Sequence, residues 1–496
     1  LEPGQLIADR FEILRLAATG GMGAVYQARD RSTGGLVALK VVLAGKGSES
    51  FDRFEREARV LADLSHPAIV GHVADGSLDD GSLFLAMEWL EGEDLASRLG
   101  RVGLLPREAI GIAVRVAEAI GAAHARGVVH RDIKPSNVFL VDRDPTKVKV
   151  LDFGIATLTR VDRALTRTGT TIGTPGYIAP EQARGGKLDG KVDLFSLGCV
   201  LFECLTGAPP FIGDHPVAVL AKVLLEDPPR VRDLVPGLPQ VLDDFVAELL
   251  EKDPARRPRD AALVATALTE MLPLLAELSP GPTSARRPTL TKSEHRLVSV
   301  ILATRALPGS SSGRDEPMAN AETLPVSSVG TTPIDRITRA ILPFGGRVEV
   351  LADGSLVVSL VARGAVTDQA ARAARAALVL RELLPDAPLA LATGRGVLEG
   401  RAPSGEAIDR ATFLVGLGPS RNVRIDEVTA RLVERHFEVL EGPSGIELCA
   451  ERPMEDRGSL TAVTPCVGRD RELTSLEALF DECVDEPAAR AVLIIA

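Results

Sequence analysis

His130-Arg131-Asp132-Ile133-Lys134-Pro135-Ser136-Asn137 packs six polar functions into eight residues, and Asp152-Phe153-Gly154 follows twenty residues after Asp132. The triplet comes directly after the β-like run Val148-Lys149-Val150-Leu151. Further on stands Gly173-Thr174-Pro175-Gly176-Tyr177-Ile178-Ala179-Pro180-Glu181. Each stretch alone is weak; their order and spacing together decide the fold.

Working outward toward the start of the chain, Ala17-Ala18-Thr19-Gly20-Gly21-Met22-Gly23-Ala24-Val25 reads as a glycine-rich hairpin. Glycines there let backbone amides approach phosphate oxygens without a Cβ in the way. Val37-Ala38-Leu39-Lys40 sets a lysine among apolar strand residues, where an isolated charge needs a partner. Glu57, on the following helical pattern Phe51 to Leu64, is that expected partner. The apolar runs Phe11 to Leu16, Ala24 to Ala28 and Leu36 to Leu43, separated by turn residues, predict three antiparallel strands. Beyond Asp94 the pattern is mainly helical, with a 3.6-residue period over Ala109 to Ala125 and Leu242 to Leu250. A small β-rich lobe and a larger helical lobe would leave a ligand cleft between them.

The ordered set resembles the Hanks-type, eukaryotic-like serine/threonine protein kinases. It also takes in Asp193-Leu194-Phe195-Ser196-Leu197-Gly198 and Lys252-Asp253-Pro254 with Arg257-Pro258, and covers residues about 10 to 272. The resemblance implies an α+β, bilobal kinase fold with a small lobe over about 10–90 and a large lobe over about 91–277. It implies that Lys40 holds the α/β-phosphates of ATP with Glu57 behind it, and that Ala38 and Val25 cover the adenine. Asp152 and Asn137 are the implied Mg²⁺ ligands, with Mn²⁺ as the alternative; oxygen donors suit either. Asp132 is implied to accept the proton of a substrate Ser or Thr hydroxyl, and Lys134 to steady the γ-phosphate. The run Leu83 to Leu90 is the implied hinge, with backbone groups of Glu88 and Leu90 reading the adenine edge behind Met87. Glu181 and Arg257 are the implied buried ion pair of the large lobe.

The competing expectation is a silent kinase-fold scaffold that regulates a downstream ATPase, which predicts loss of Lys40, Asp132, Asn137 or Asp152. All four are present, and the departure from the full glycine pattern is Ala18. Arg131 precedes the catalytic-type Asp, and the loop to Glu181 carries Thr166, Thr168, Thr170, Thr171 and Thr174. Phosphate on such a loop adds charge that an Arg can pair, so autophosphorylation in trans among Thr166, Thr168, Thr170 and Thr171 is expected.

The rest of the chain divides by composition. A Pro-rich linker spans 278–293, a second α/β block spans 294–450 with a Ser/Gly/Pro-rich insertion over about 307–333, and a linker spans 451–462. The second block resembles a class III nucleotide cyclase domain through Val298 to Ala303, Gly346 to Val358, Ala390 to Gly394 and Gly405 to Ala411. In that family two Asp bind metals and an Asn and an Arg stabilise the transition state. Asp353 matches one metal Asp; Thr304, Asp409 and Phe413 stand at the other three positions. A two-metal reaction lacks a ligand there, so a degenerate domain serving regulation or homodimerisation is expected. Pro465 to Leu473, in a segment 463–496, resembles the opening of AAA- or STAND-type ATPase modules. The absent initiator Met and the stop at Ala496 are read as marks of a fragment.

Composition sets the outer bounds. The 496 residues exceed one typical domain, and 45% apolar with 25% charged residues argues against wholesale disorder. A net charge of −11 gives no overall basic footprint for nucleic acid. No apolar stretch long enough for a membrane span and no signal-peptide layout occur, and five scattered Cys without a CxxC pair argue against structural zinc or a disulfide framework. The expected setting is the cytoplasm of a bacterium, and the expected partners are protein substrates.

Overall fold

A computed structural model describes residues 1–20, 23–42, 62, 64–78, 82–153, 175–213, 215–275, 295–304, 333–361, 366–397, 405–418, 420–442 and 445–453. Glu57, Gly21, Met22, the five loop threonines and the segment 463–496 lie outside these residues.

The first sheet contains β1 (Leu6–Ile7), β2 (Phe11–Gly20), β3 (Gly23–Asp30), β4 (Leu36–Val42), β5 (His72–Ser77) and β6 (Leu83–Glu88), in the order β1-β2-β3-β4-β6-β5. All neighbours are antiparallel, and the three runs expected from the sequence are β2, β3 and β4. Their alternation buries Phe11, Ile13, Val37 and Leu39 on one face with Phe84 and Ala86 of β6.

The larger lobe opens with β7 (Gly92–Asp94), α1 (Leu95–Arg101) and α2 (Pro106–His124), followed by β8 (Val138–Val141) and β9 (Val148–Val150). Strands β7, β8 and β9 pair as a small sheet that carries the catalytic-type loop at its edge. Then come α3 (Pro180–Ala183), α4 (Lys191–Thr206), α5 (Pro216–Leu225), α6 (Val231–Leu234), α7 (Gln240–Leu249) and α8 (Ala261–Met271). Helix α4 is apolar almost all round and 13 of its 16 residues are buried, so it forms the centre of the lobe. Gly198 lets α7 approach: a Cβ there would lie 2.8 Å from the Leu249 side chain. The helix stops at Gly207, whose φ of 83° suits glycine.

A seven-stranded sheet follows, built from β10 (His295–Ala303), β11 (Arg347–Val350), β12 (Leu356–Val361), β13 (Leu389–Val397), β14 (Val423–Ile425), β15 (Phe437–Gly442) and β16 (Gly445–Glu451). Its order is β11-β12-β10-β13-β14-β16-β15, with β13 and β14 the parallel pair. Helices α9 (Pro333–Ile341), α10 (Val366–Leu383), α11 (Gly405–Gly416) and α12 (Glu427–Val433) accompany it. Period-two alternation splits β10 cleanly. Ile301 and Ala303 face a core with α9, α10 and α12, whereas Val298, Val300 and Leu302 face the other way.

That second face is covered by α11 and by α5 of the preceding lobe. Val217, Leu220, Ala221, Leu224 and Leu225 share one core with Val298, Val300, Leu302, Ala390 and Ala392. Polar ties rim it: Lys222 Nζ lies 2.7 Å from Asp409 Oδ2, Arg184 Nε 2.8 Å from Glu349 Oε2, and the Ala352 amide donates to the Ala183 carbonyl at 3.0 Å. The two blocks therefore meet through a continuous apolar seam. In a double-mutant cycle, Lys222→Ala and Asp409→Ala should couple by about 0.5–3 kcal/mol in denaturant unfolding; additive effects would show that the pair contributes nothing across the seam.

Candidate active site

The loop from His130 to Asn137 is shaped by an acid beneath it. Asp193, in the first turn of α4, is fully buried. Its carboxylate accepts the amides of His130 at 2.8 Å and Arg131 at 2.7 Å, and contacts His124 Nε2 at 2.7 Å. Charged acceptors make the stronger hydrogen bonds, and a buried carboxylate needs several. Arg131 sits at φ 65° and Asp152 at φ 58°, left-handed values that cost a non-glycine residue unless its surroundings impose them. The sequence marked Asp193 only as part of a family stretch; its role as an acceptor for this loop is a finding of the structure.

His130 carries the order forward. Its Nε2 contacts the Leu151 carbonyl at 2.8 Å, its Nδ1 accepts the Asp132 amide at 3.3 Å, and its ring packs on Phe153 at 4.5 Å between centroids. Five side chains named from the sequence then stand in a group of three and a pair. Lys134 Nζ donates to Asp132 Oδ2 at 2.8 Å, and Asn137 Nδ2 donates to the Asp132 carbonyl at 2.8 Å and to its Oδ2 at 3.1 Å. Lys40 Nζ, coming from β4 across the cleft, meets Asp152 Oδ1 at 2.6 Å. Its expected partner Glu57 lies outside the described residues.

The donor set fits a hard cation. With the Asn137 amide nitrogen turned to Asp132, its Oδ1 accepts no hydrogen bond among the described residues. The Asp152 carboxylate supplies further oxygen. Among the described residues no group of three His, Cys, Asp or Glu gathers elsewhere as a metal site.

The cleft roof comes from β2 and β3. Ala18 pairs with Val25, Thr19 with Ala24 and Gly20 with Gly23, after a register shift between Leu16 and Ala18. Ala17 lies at that irregularity. Val25 pairs with Lys40, and Ala38 with Met87. The hinge is braced in a way the sequence did not reveal. The Glu88 amide donates to the Gly71 carbonyl at 2.9 Å, and Glu88 Oε1 accepts from the Gly71 amide at 2.7 Å and Lys149 Nζ at 2.6 Å. Glu88 therefore cannot offer its amide to a ligand, whereas the Leu90 backbone makes no hydrogen bond among the described residues.

On the far side, the short turn Pro175–Tyr177 is fixed to α4. Ser196 Oγ donates to the Tyr177 carbonyl at 2.7 Å, and the Tyr177 hydroxyl donates to Glu203 Oε2 at 2.5 Å. Burial raises the Glu203 carboxyl above its ordinary range and the Tyr177 phenol well above its own. Arg257, with no exposed side-chain surface, takes both Glu181 oxygens at 2.7 and 2.8 Å, the buried pair expected from the sequence. Gln182 Nε2 donates to the Arg131 carbonyl at 2.9 Å, joining α3 to the catalytic-type loop.

The positions that the sequence aligned with cyclase chemistry are arranged differently. Asp409 is paired with Lys222 of α5, Asp353 caps the turn through Ser355 at 2.8 Å, and Phe413 is exposed. Ala352, beside Asp353, packs 3.2 Å from where a Gly185 Cβ would lie. These residues are spent on a turn and on the seam.

Comparison with known proteins agrees with the geometry. The family model described as "Protein kinase domain" matches residues 11–269. Relatives include the DNA damage-responsive serine/threonine-protein kinase RqkA of Deinococcus radiodurans, 39% identical over 53% of this chain and 40% of its own length. The serine/threonine-protein kinase pkn3 of Myxococcus xanthus is 39% identical over 52% and 49%, and PknB of Mycolicibacterium smegmatis is 41% identical over 52% and 42%. The chain thus spans less than half the length of these relatives.

Asp193→Asn should leave one of the two loop amides without an acceptor and the other with a neutral one. Stability should fall by about 1–3 kcal/mol, and amide exchange at His130 and Arg131 should quicken; unchanged exchange would remove Asp193 from this role.

Proposed function

The chain belongs to the protein kinase domain family, and on that premise we propose that it is an active serine/threonine protein kinase. The observation that carries the reading is the joint presence of Lys40–Asp152 and Lys134–Asp132–Asn137 on facing sides of one cleft. Phosphoryl transfer asks a protein mostly for positioning and charge neutralisation.

The chain's own residues divide that work. Lys40 binds the α/β-phosphates, and Val25, Ala38 and the Leu90 backbone hold the adenine. Asp132 orients the Ser or Thr hydroxyl and takes its proton as the oxygen bonds to the γ-phosphorus. The bond from that phosphorus to the β–γ bridging oxygen breaks, and ADP leaves. Lys134 neutralises the Asp132 carboxylate in the resting site and turns to the γ-phosphate when ATP is present. Mg²⁺, with Mn²⁺ as the alternative, would be held by Asp152 and Asn137 and would supply neutralisation of phosphate charge.

Regulation by loop phosphorylation is supported by Arg131, whose buried Nε makes no hydrogen bond among the described residues. A phosphothreonine at position 166, 168, 170 or 171 would give it a partner; Thr174 is read as the Ser/Thr-specific position before Pro175. The block 294–450 is proposed as a cyclase-like domain retained as a fixed partner of the kinase, a reading supported by the use of Asp409 on Lys222. The same seam covers a sheet face otherwise available for homodimerisation. No helix among the described residues is long and apolar enough to cross a membrane. The described cysteines, Cys199, Cys204 and Cys449, are free, which supports a reducing, cytoplasmic setting.

Radiolabelled γ-phosphate should move from ATP to a protein acceptor with the wild-type chain. Asp132→Ala should lower the rate by about 10²–10⁴-fold, and Lys40→Ala should also abolish most transfer. Equal background in all three chains would favour the silent scaffold. Phosphopeptide mapping of the active chain should find phosphate among Thr166, Thr168, Thr170 and Thr171; a loop without phosphate on an active enzyme would remove that regulation.

A further inference from the structure

The seam between the two blocks is not closed along its whole length. A cleft of about 430 Å³ opens beside it, lined by Arg184, Leu225, Asp253 and Lys252 from one block and by Arg347 and Ser359 from the other. That size is within the range of small-molecule sites, and the cleft is separate from the nucleotide cleft between the lobes.

Among the described residues, several donors around it lack a partner, beside carboxylates that are mostly engaged. Glu349, which also borders the cleft, has both carboxylate oxygens occupied, Oε2 by Arg184 Nε at 2.8 Å and Oε1 by Arg347 Nε at 2.9 Å. Asp253 spends Oδ1 on the Ala255 amide at 3.0 Å, and Asp227 is likewise engaged. The donors are left over. Among the described residues the Arg184 amino groups and Arg347 Nη1 make no hydrogen bond, and neither does the Ser359 hydroxyl on β12. Lys252 is the sharpest case. Its side chain is buried, and Nζ makes no hydrogen bond. What attracts it is the Phe211 ring, 4.0 Å from centroid to Nζ, and the charges of Asp227 and Glu226. Burial pushes this ammonium down to about 7 against the pull of Asp227. A buried ammonium without an acceptor is costly, and none of the described residues accepts a hydrogen bond from it.

We propose that this cleft binds a small acidic molecule, with a phosphate or carboxylate group received by Lys252 and Arg347 and bridging the two blocks. Guanidinium groups favour such anions through paired, charge-assisted hydrogen bonds. The ligand would act where the blocks are already tied: Arg184 directly follows α3, whose Gln182 holds the Arg131 carbonyl. Occupation of the cleft would thus bear on the position of the catalytic-type loop without contact with the nucleotide.

The test uses the full chain with the nucleotide cleft saturated by a non-hydrolysable ATP analogue and Mg²⁺, at constant ionic strength. Inorganic phosphate and succinate are titrated separately by calorimetry, which distinguishes a phosphate ligand from a dicarboxylate. One saturable site per chain is expected for at least one of them. Arg347→Ala, at an exposed position on an edge strand, should weaken that binding about tenfold or more while leaving affinity for the ATP analogue unchanged. Lys252→Met should abolish it. Absence of saturable binding for both anions, or binding that Arg347→Ala leaves unaltered, would overturn the proposal. Because neither readout is phosphoryl transfer, failure here leaves the kinase reading standing, and a silent kinase leaves this site standing.

Discussion

The buried carboxylate of Asp193 is the constraint on which the candidate site rests. It is charged, out of water, and satisfied only if the chain presents the His130 and Arg131 amides and the His124 ring to it. That demand forces Arg131 into a left-handed conformation, which turns the following Asp132 toward the cleft. The apolar all-round character of α4 is what puts the carboxylate there, since a helix buried on every side cannot place its first-turn acid in solvent. Catalytic geometry is in this sense a consequence of core packing: the large hydrophobic helix fixes an acid, the acid fixes a loop, and the loop fixes Asp132, Lys134 and Asn137.

A second constraint acts on the other block. A sheet with apolar side chains on both faces must be covered on both. α9, α10 and α12 cover one face, and α11 alone cannot cover the other. Helix α5 of the kinase fold completes it. This explains why α5 carries an unbroken apolar run, Pro216 to Leu225, with one charge, Lys222, that is matched by Asp409. The ion pair contributes direction more than strength, because a charge facing an apolar sheet is tolerated in one register only.

How much of this was legible in the sequence follows from the distance over which each feature is encoded. The strands β2, β3 and β4 and the helices α2 and α7 are local periodic patterns, and they appear within a few residues of where the pattern puts them. The motif residues are legible because their chemistry restricts the residue type. Pairings are another matter. Lys40 meets Asp152, 112 residues away, and Lys222 meets Asp409, 187 residues away. No periodicity selects such partners among 68 acidic residues. Asp193 shows the intermediate case: its residue type and place in a motif were visible, but its three acceptor contacts depend on a loop turning back over the helix. The second block shows the same limit: the sequence marks Asp409 as a departure from the cyclase pattern, but not that it meets Lys222.

The use of lysine in this chain follows from these pairings. Arginine supplies 47 of the 57 basic residues and lysine only 10. Arginine's planar fork suits places with two acceptors, as where Arg257 takes both oxygens of Glu181 and Arg10 both of Asp30. Lysine appears where one compact charge must reach through a narrow space: Lys40 to Asp152, Lys134 to Asp132, Lys149 to Glu88 and the Ile69 carbonyl, Lys222 to Asp409 and the Ile212 carbonyl. A guanidinium at Lys40 or Lys134 would span the cleft floor and hold its acid in a two-point grip. A single-point ammonium can leave its carboxylate for a phosphate oxygen without breaking a second bond. Lys252 sits in a similarly narrow space, and its Nζ makes no hydrogen bond among the described residues. Of the two buried lysines among the described residues, Lys222 finds its acceptors inside the chain, and Lys252 is the one that the proposed anion would supply.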